Sequence, residues 1–216
     1  MVRAVRIKKI WINRSGDIMK QYTVYYLSLS EIKFYKTYLL SQISEERKKR
    51  VESYVHEEDK LLSLGAGYFI HKYFKDDVKK TKSGKLISPK GFFNISHSKK
   101  YVVFVLADKE CGIDIEEKRE VKKELIDYAF SDSDKELMKK PEDFFLMWTL
   151  KEAISKAEGS GLSGKSIKDI PVGTGLIEYK DENYMVKFTT LADYYISVAV
   201  KTDKPFEIVL KEEIIK

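Results

Sequence analysis

The spacing of apolar and polar positions along the chain predicts alternating strands and helices. Residues 22–29 and 101–107 are compact runs of β-branched and aromatic side chains, which is typical of strands. Residues 31–40 and 57–71 carry apolar side chains at helical spacing. A charged stretch after Ser44 predicts a further helix, with this serine as its N-cap. The first half is therefore predicted to contain strands and at least one long helix.

The second half continues the alternation. Residues 112–116 have the pattern of a short strand, and helices are predicted over 122–129 and 143–157. Gly159 follows the second of these helices where a C-cap glycine is expected. The clearest strand patterns after it cover 184–189 and 194–200. Strands with a long helix in each half predict an α+β protein and permit two similar lobes.

Composition narrows the class of protein. Hydrophobic residues make up 43% and charged residues 34% of the 216 residues, as in an ordinary soluble globular protein. No apolar stretch approaches the length of a membrane span. Arg3, Arg6, Lys8 and Lys9 interrupt the apolar side chains at the start of the chain, so no secretory leader is expected. We expect a cytoplasmic protein that does not bind membranes.

Charge and metal-binding side chains restrict the partners. A formal charge of +6 favours an anionic partner: nucleic acid, a phosphorylated ligand or an acidic protein. The basic residues are mixed with acidic ones and lack the aromatic interleaving of many nucleic-acid binders, so no nucleic acid is expected. Cys111 is the only cysteine, and the chain has three histidines. A metal site would therefore depend on carboxylates, which favours Mg²⁺ over Zn²⁺.

Three segments carry side chains suited to chemistry, and the first is the strand pattern at 111–116. Alternate residues of a strand share a face, so Asp114 and Glu116 point one way while Ile113 and Ile115 face the core. Adjacent carboxylates repel each other unless a cation or basic groups neutralise them. A solvated polar face explains this hexapeptide equally well.

The second segment is the helix pattern that ends near Gly159. Glu152 and Lys156 are four residues apart, on a different face from the apolar stripe. Taken alone, they are best explained as a surface ion pair worth about 0.3–0.5 kcal/mol.

The third segment, residues 94–98, offers a phosphate cradle. It contains the hydroxyls of Ser96 and Ser98 and the imidazole of His97, and two lysines follow it. A structural histidine in a turn is the better explanation when the segment is taken alone. A base that activates serine is also conceivable, but the Gly-x-Ser-x-Gly pattern does not accompany it.

In their order along the chain, the three segments resemble the Sfp-type 4′-phosphopantetheinyl transferases. The motifs are Asn-Ile-Ser-His-Ser over 94–98, Gly-Ile-Asp-Ile-Glu over 112–116 and Trp-x-x-Lys-Glu-Ala-x-x-Lys-x-x-Gly-x-Gly-Leu over 148–162. The separation of Asp114 from Glu152, 38 positions, also matches the family. The resemblance covers roughly residues 20–200 and is strongest over 84–162.

The resemblance implies an architecture as well as an activity. It implies an α+β fold of two similar lobes related by pseudo-twofold symmetry, with the site in the cleft between them. The lobes would cover residues 19–105 and 106–216, after an extension or extra strand at 1–18. A monomer is expected because both halves of the site lie on one chain. The activity would be Mg²⁺-dependent transfer of phosphopantetheine from coenzyme A to a serine of an acidic acyl, peptidyl or polyketide carrier protein.

The resemblance also assigns roles to particular residues. Asp114, Glu116 and Glu152 match the carboxylates that hold Mg²⁺ against the coenzyme A pyrophosphate, and Lys156 matches a lysine that steadies the same phosphates. The catalytic set would be Glu152, Lys156 and Asp114. Further matches to coenzyme A contacts are Arg47, Arg50, Lys85, Ser96 and His97. The chain departs from the family where Leu86 replaces a proline, where Leu62 replaces an arginine of some relatives, and where Asp134 replaces a glutamate.

Some alternatives stay open. Glu152, Asp134 or a metal-bound water would accept the proton of the attacking serine. A Mg²⁺-dependent phosphohydrolase would use the same carboxylates on water. A protein that only binds coenzyme A or a carrier domain is a third possibility, but it has no need of the acidic trio.

Overall fold

Helices and strands alternate in the structure much as the apolar pattern predicts. The computed structural model describes residues 19–161 and 167–215. The helices are α1 (Leu29–Phe34), α2 (Lys36–Gln42), α3 (Glu45–Glu52), α4 (Glu57–Phe74), α5 (Lys123–Ala129), α6 (Asp132–Leu137) and α7 (Asp143–Glu158). The strands are β1 (Lys20–Ser28), β2 (Lys79–Lys80), β3 (Leu86–Ile87), β4 (Phe92–Ser98), β5 (Tyr101–Ala107), β6 (Cys111–Glu117), β7 (Gly175–Tyr179), β8 (Glu182–Leu191), β9 (Tyr194–Val200) and β10 (Phe206–Glu212).

Local signals explain where the helices begin and end. Ser44 caps α3 as predicted, because its hydroxyl accepts a hydrogen bond from the backbone N–H of Arg47 at 3.4 Å. Gly159 ends α7 as predicted, with a φ of 91° that suits glycine. The amphipathic stretch over 31–40 forms two helices, α1 and α2, which meet at Tyr35. No helix in the described part of the chain is long and apolar enough to cross a membrane.

Two four-stranded sheets organise the described residues. The N-terminal sheet has the order β10-β1-β5-β4, and the C-terminal sheet has the order β6-β9-β8-β7. In each sheet an initial strand (β1 or β6) is followed by a long helix (α4 or α7) and then by an antiparallel hairpin (β4–β5 or β8–β9). The second strand of each hairpin pairs with the initial strand. This repeated topology is an α+β fold and agrees with the expected pair of similar units.

The last strand corrects the predicted C-terminal lobe of residues 106–216. β10 pairs in parallel with β1 and so belongs to the N-terminal sheet. The segment after it stays there, because Glu213 forms an ion pair with Lys72 of α4 and Ile215 joins the apolar cluster beside that helix. A pairing between the two ends of a chain leaves no local pattern in the sequence. The predicted extension at 1–18 lies outside the described residues.

The two sheets face each other, and helices cover their outer faces. Val103 and Val105 of β5 meet Ile113 and Ile115 of β6 in a shared apolar core, where Cys111 is also buried. Phe104, on the opposite face of β5, packs against α4. Packing between the sheets brings β4 and β6, each an edge strand of its sheet, next to each other.

Candidate active site

Side chains connect β4 to β6 where the two sheets meet. Three alternate residues of β4 bond to successive parts of β6, and we name this set the β4–β6 ladder. The bonds run from Ile113 N–H to Asn94 Oδ1 (3.1 Å), from Ser96 Oγ to Asp114 Oδ1 (2.8 Å) and from Ser98 Oγ to Glu116 Oε2 (3.2 Å). The segment 94–98 is thus a strand, and the turn considered for His97 is wrong. The ladder joins two of the three sequence motifs.

Helix α7 approaches β6 closely because of Gly112. A Cβ atom at this position would lie 2.1 Å from the carbonyl oxygen of Ala153 and 2.5 Å from the backbone nitrogen of Ala157. Both distances are far below van der Waals contact, and both atoms belong to the backbone of α7. Glycine therefore permits a separation at which α7 holds Glu152 and Lys156 beside the acidic strand.

Lys156 connects the third motif to the other two. Its Nζ lies 2.5 Å from Asp114 Oδ1, 3.1 Å from Ser96 Oγ and 3.9 Å from Glu152 Oε2. Lys156 therefore forms two ion pairs, and the one with Glu152, considered from the sequence as a surface contact, is longer than the one with Asp114. Burial alone lowers the pKa of Lys156, but the charges of Asp114 and Glu152 outweigh it and raise that pKa. The lysine is thus held as a cation among acidic groups.

The three predicted carboxylates differ in their surroundings. Asp114 is only 4% exposed, so the solvated polar face considered from the sequence does not describe it. Burial raises the pKa of Glu152 to about 7; the charges of Asp114 and Glu116 add to this effect and Lys156 opposes it. Burial, followed by the charge of Asp114, also raises the pKa of Glu116. Mutual repulsion of this kind favours a cation near the three groups.

The three carboxylates are suitable ligands for a metal ion by their chemistry. Asp114 Oδ2 is buried and has no hydrogen-bond partner among the described residues, which suits an oxygen that receives a cation. Carboxylates are the hard ligands that Mg²⁺ prefers. Within 19–161 and 167–215, however, no three His, Cys, Asp or Glu side chains are gathered as metal ligands. The donors suit Mg²⁺, and the ligand set Asp114, Glu116 and Glu152 stays a prediction.

A cleft of about 350 Å³ opens beside Glu152 and Lys156. Its walls come from α7, β4 and the segment between β2 and β3, and its cationic side chains are Arg50, Lys80, Lys85 and Lys156. A smaller pocket of about 230 Å³ shares Arg50 and Lys80 with the cleft and adds Arg47. Several cations around one cavity favour a ligand with several negative charges.

The other residues predicted to contact coenzyme A differ in how they lie relative to the cleft. Lys85 lines it, but its ammonium pairs with Glu110 and donates to the carbonyl oxygen of Ala157 at 2.6 Å. Arg47 donates from Nη2 to the carbonyl oxygen of Ser63 at 3.2 Å. His97 alternates with Ser96 along β4 and so lies on the face opposite the ladder. The roles of these residues toward coenzyme A stay predictions.

Sequence reasoning missed a buried ion pair behind the site. Lys151 is fully buried, and its Nζ donates to Asp134 Oδ2 at 2.8 Å and to the carbonyl oxygens of Ile167 and Ile170 at 3.0 and 2.6 Å. The same carboxylate oxygen accepts the backbone N–H of Ser131, the N-cap of α6, at 3.0 Å. The carboxylate of Asp134 is thus used in the fold, which speaks against a role as proton acceptor. Lys151 follows Met147 by four positions, and a lysine in an apolar helical stripe is a signal for such burial.

Comparisons with known proteins agree with the motifs. Residues 110–199 match the model of the 4′-phosphopantetheinyl transferase superfamily. The 4′-phosphopantetheinyl transferase Sfp of Bacillus subtilis is 28% identical over 57% of this chain and 63% of its own length. The enzyme gsp of Aneurinibacillus migulanus is 29% identical over 58% of this chain and 60% of its own. The chain thus spans less than two thirds of these relatives, and the predicted resemblance to the Sfp-type family is confirmed.

A solved structure gives a weaker match. The holo-[acyl-carrier-protein] synthase of Thermotoga maritima aligns with 42% of this chain and 61% of its own, at 23% identity and a TM-score of 0.33.

Proposed function

We propose that this relative of the 4′-phosphopantetheinyl transferases moves phosphopantetheine from coenzyme A to a serine of a carrier protein. One observation carries the proposal: Lys156, which lines the basic cleft, binds Asp114 at 2.5 Å and Ser96 at 3.1 Å. The three motifs that define the resemblance therefore meet at one point, and a cleft suited to a polyanion opens there.

In the proposed reaction, the serine oxygen of the carrier attacks the phosphorus that bears pantetheine. A new P–O bond to serine forms, the pyrophosphate P–O bond breaks, and 3′,5′-ADP leaves with the bonding electrons. The serine loses its proton during the attack. No oxidant or reductant is needed.

Particular residues of the chain would stabilise the developing charge, accept the proton and bind the nucleotide. Lys156 would stabilise the negative charge that develops on the pyrophosphate as the bond breaks. Glu152 is the proposed proton acceptor, because a carboxylate with a pKa of about 7 is suited to accept a proton near neutral pH. Arg50 and Lys80 would bind the anionic nucleotide portion. A bound Mg²⁺ would neutralise phosphate charge; Asp114 and Glu116 would hold it, joined by Glu152 when that carboxylate is not the base.

The partner and setting are also part of the proposal. The chain carries a formal charge of +6, so an acidic carrier protein would be attracted to it over a distance of several ångströms. Both sheets contribute to the site, which supports action as a monomer. We place the reaction in the cytoplasm, where coenzyme A is available.

The test is incubation of the purified chain with an apo-carrier protein, coenzyme A and Mg²⁺. Mass spectrometry should show addition of one phosphopantetheine group to the carrier, and Asp114→Asn should abolish it. Release of phosphopantetheine from coenzyme A without a carrier would favour the phosphohydrolase. Binding of coenzyme A with neither product would favour the binding protein, and either result would overturn the transferase.

A further inference from the structure

We propose that Ser98 and Arg119 are positioning residues that fix the carboxylate of Glu116 for its role in the site. The proposal rests on the function proposed above, in which Glu116 binds the metal ion. Neither residue belongs to the set assigned from the motifs.

Ser98 reaches Glu116 from the opposite sheet. It is the last residue of β4, and its hydroxyl donates to Glu116 Oε2 at 3.2 Å. The same spacing along β4 places Ser96 on Asp114, so the ladder contacts both carboxylates of the acidic strand. A serine hydroxyl that donates to a carboxylate restricts the orientation of that carboxylate.

Arg119 reaches the same oxygen from the other side. Its Nη1 donates to Glu116 Oε2 at 3.1 Å, from just beyond the end of β6. The guanidinium lies 4.3 Å from the ring centroid of Phe145, a buried residue of α7, in a cation–π contact. Phe145 thus fixes the arginine, and the arginine fixes the carboxylate.

Both donors bind one oxygen of Glu116. Among the described residues, the hydrogen bonds and the ion pair of Glu116 all fall on Oε2. Two donors on Oε2 define the plane of the carboxylate and leave Oε1 for a further partner. The neighbouring charge of Asp114 favours a cation as that partner. The donors therefore orient a ligand without occupying the atom that would bind.

The experiment compares Ser98→Val with Ser98→Thr, which have the same shape but differ in the hydroxyl. Binding of Mn²⁺, which takes oxygen ligands as Mg²⁺ does, is measured by calorimetry on the full chain. Loss of an outer hydrogen bond to a metal ligand typically weakens binding about 10–100-fold. We expect at least a tenfold weaker Mn²⁺ affinity for Ser98→Val and a value within about threefold of wild type for Ser98→Thr. Arg119→Gln should weaken it in the same direction.

The same variants distinguish an effect on the orientation of Glu116 from a general loss of structure or activity. In the transfer assay, Ser98→Val should need more Mg²⁺ for half-maximal rate while its rate at saturating Mg²⁺ stays within about threefold of wild type. In a Glu116→Gln background, Ser98→Val should add less than a twofold change in Mn²⁺ affinity, because its effect passes through Glu116. Equal Mn²⁺ affinities for the Val and Thr variants, or additive losses in the double variant, would overturn the proposal.

Failure of the proposed function gives a different result. A wild-type chain that binds Mn²⁺ but leaves the carrier unmodified would refute the transferase, while the Mn²⁺ affinities would still decide the role of Ser98. A wild-type chain that binds no Mn²⁺ would overturn both. Thermal melting accompanies each variant, and Arg119→Gln decides the case if Ser98→Val does not fold.

Discussion

Substitution of Gly112 by alanine tests whether the close approach of α7 to β6 builds the site. The added Cβ would lie 2.1 Å from the carbonyl oxygen of Ala153 and 2.9 Å from the carbonyl carbon of Lys156. Both atoms are helix backbone and cannot rotate away as the end of a side chain does. An ordinary contact begins at 3.4 Å, so α7 would have to move outward by about 1.3 Å, the difference between 3.4 and 2.1 Å.

The size of the effect follows from what α7 carries. Overpacking of a core typically costs about 1–3 kcal/mol of stability, and we expect Gly112→Ala to fall in that range. The effect on function should be larger, because the same movement separates Lys156 from Asp114, now 2.5 Å apart. Misplacement of catalytic groups by about 1 Å costs roughly 10²-fold in rate. A folded but nearly inactive variant is the expected result.

Urea unfolding and the carrier-modification rate measure the two effects on the same preparation. Gly173→Ala is the matched control, since its Cβ would meet only Cδ1 of Ile177, the far end of a flexible side chain. The control should stay within about 0.5 kcal/mol and threefold of wild type. If Gly112→Ala modifies the carrier at more than a third of the wild-type rate, the close approach does not build the site.

Other expectations concern two lysines of α7. Lys156→Ala should lower the transfer rate by roughly 10²–10³-fold at saturating coenzyme A, because one preorganised donor to the developing charge is lost. Lys156→Arg should recover only part of the lost rate. An alanine variant within threefold of the wild-type rate would show that Lys156 takes no part in the reaction. Lys151→Met should destabilise the chain by about 3–5 kcal/mol in urea unfolding, because it leaves Asp134 buried without its cation. The exposed Lys140→Met is its control, and equal unfolding midpoints for the two variants would contradict a structural role for the pair.

Much of the site follows from the sequence because its residues lie on regular elements. Strand alternation predicts that Asp114 and Glu116 share a face and that Ile113 and Ile115 are buried, and both isoleucines are fully buried in the structure. Helical spacing places Glu152 and Lys156 on one side of α7. Periodicity within one element is fixed by backbone geometry, so such predictions need no knowledge of the fold.

Relations between elements could not be predicted in this way. The sequence alone does not show that Lys156 pairs with Asp114 more closely than with Glu152, since that choice depends on how near α7 lies to β6. The pairing of β10 with β1 joins residues 186 positions apart, as from Lys20 to Phe206, and has no local signature. Ser98 was considered for phosphate binding, but its contact to Glu116 appears only once β4 and β6 are side by side.

The position of the site follows from how the repeated fold is closed. β4 and β6 are edge strands of different sheets, and an unpaired strand edge in a protein must be covered. Here side chains cover it, and Asn94 accepts the N–H of Ile113 where a backbone carbonyl would serve within a sheet. The face of β4 that contacts β6 is therefore polar, and its serines donate hydrogen bonds to the two carboxylates of β6. Since the same bonds join the halves and orient the acids, substitutions in the ladder should change stability and metal affinity together, whereas substitutions of Arg50 and Lys80 in the cleft should change substrate affinity alone.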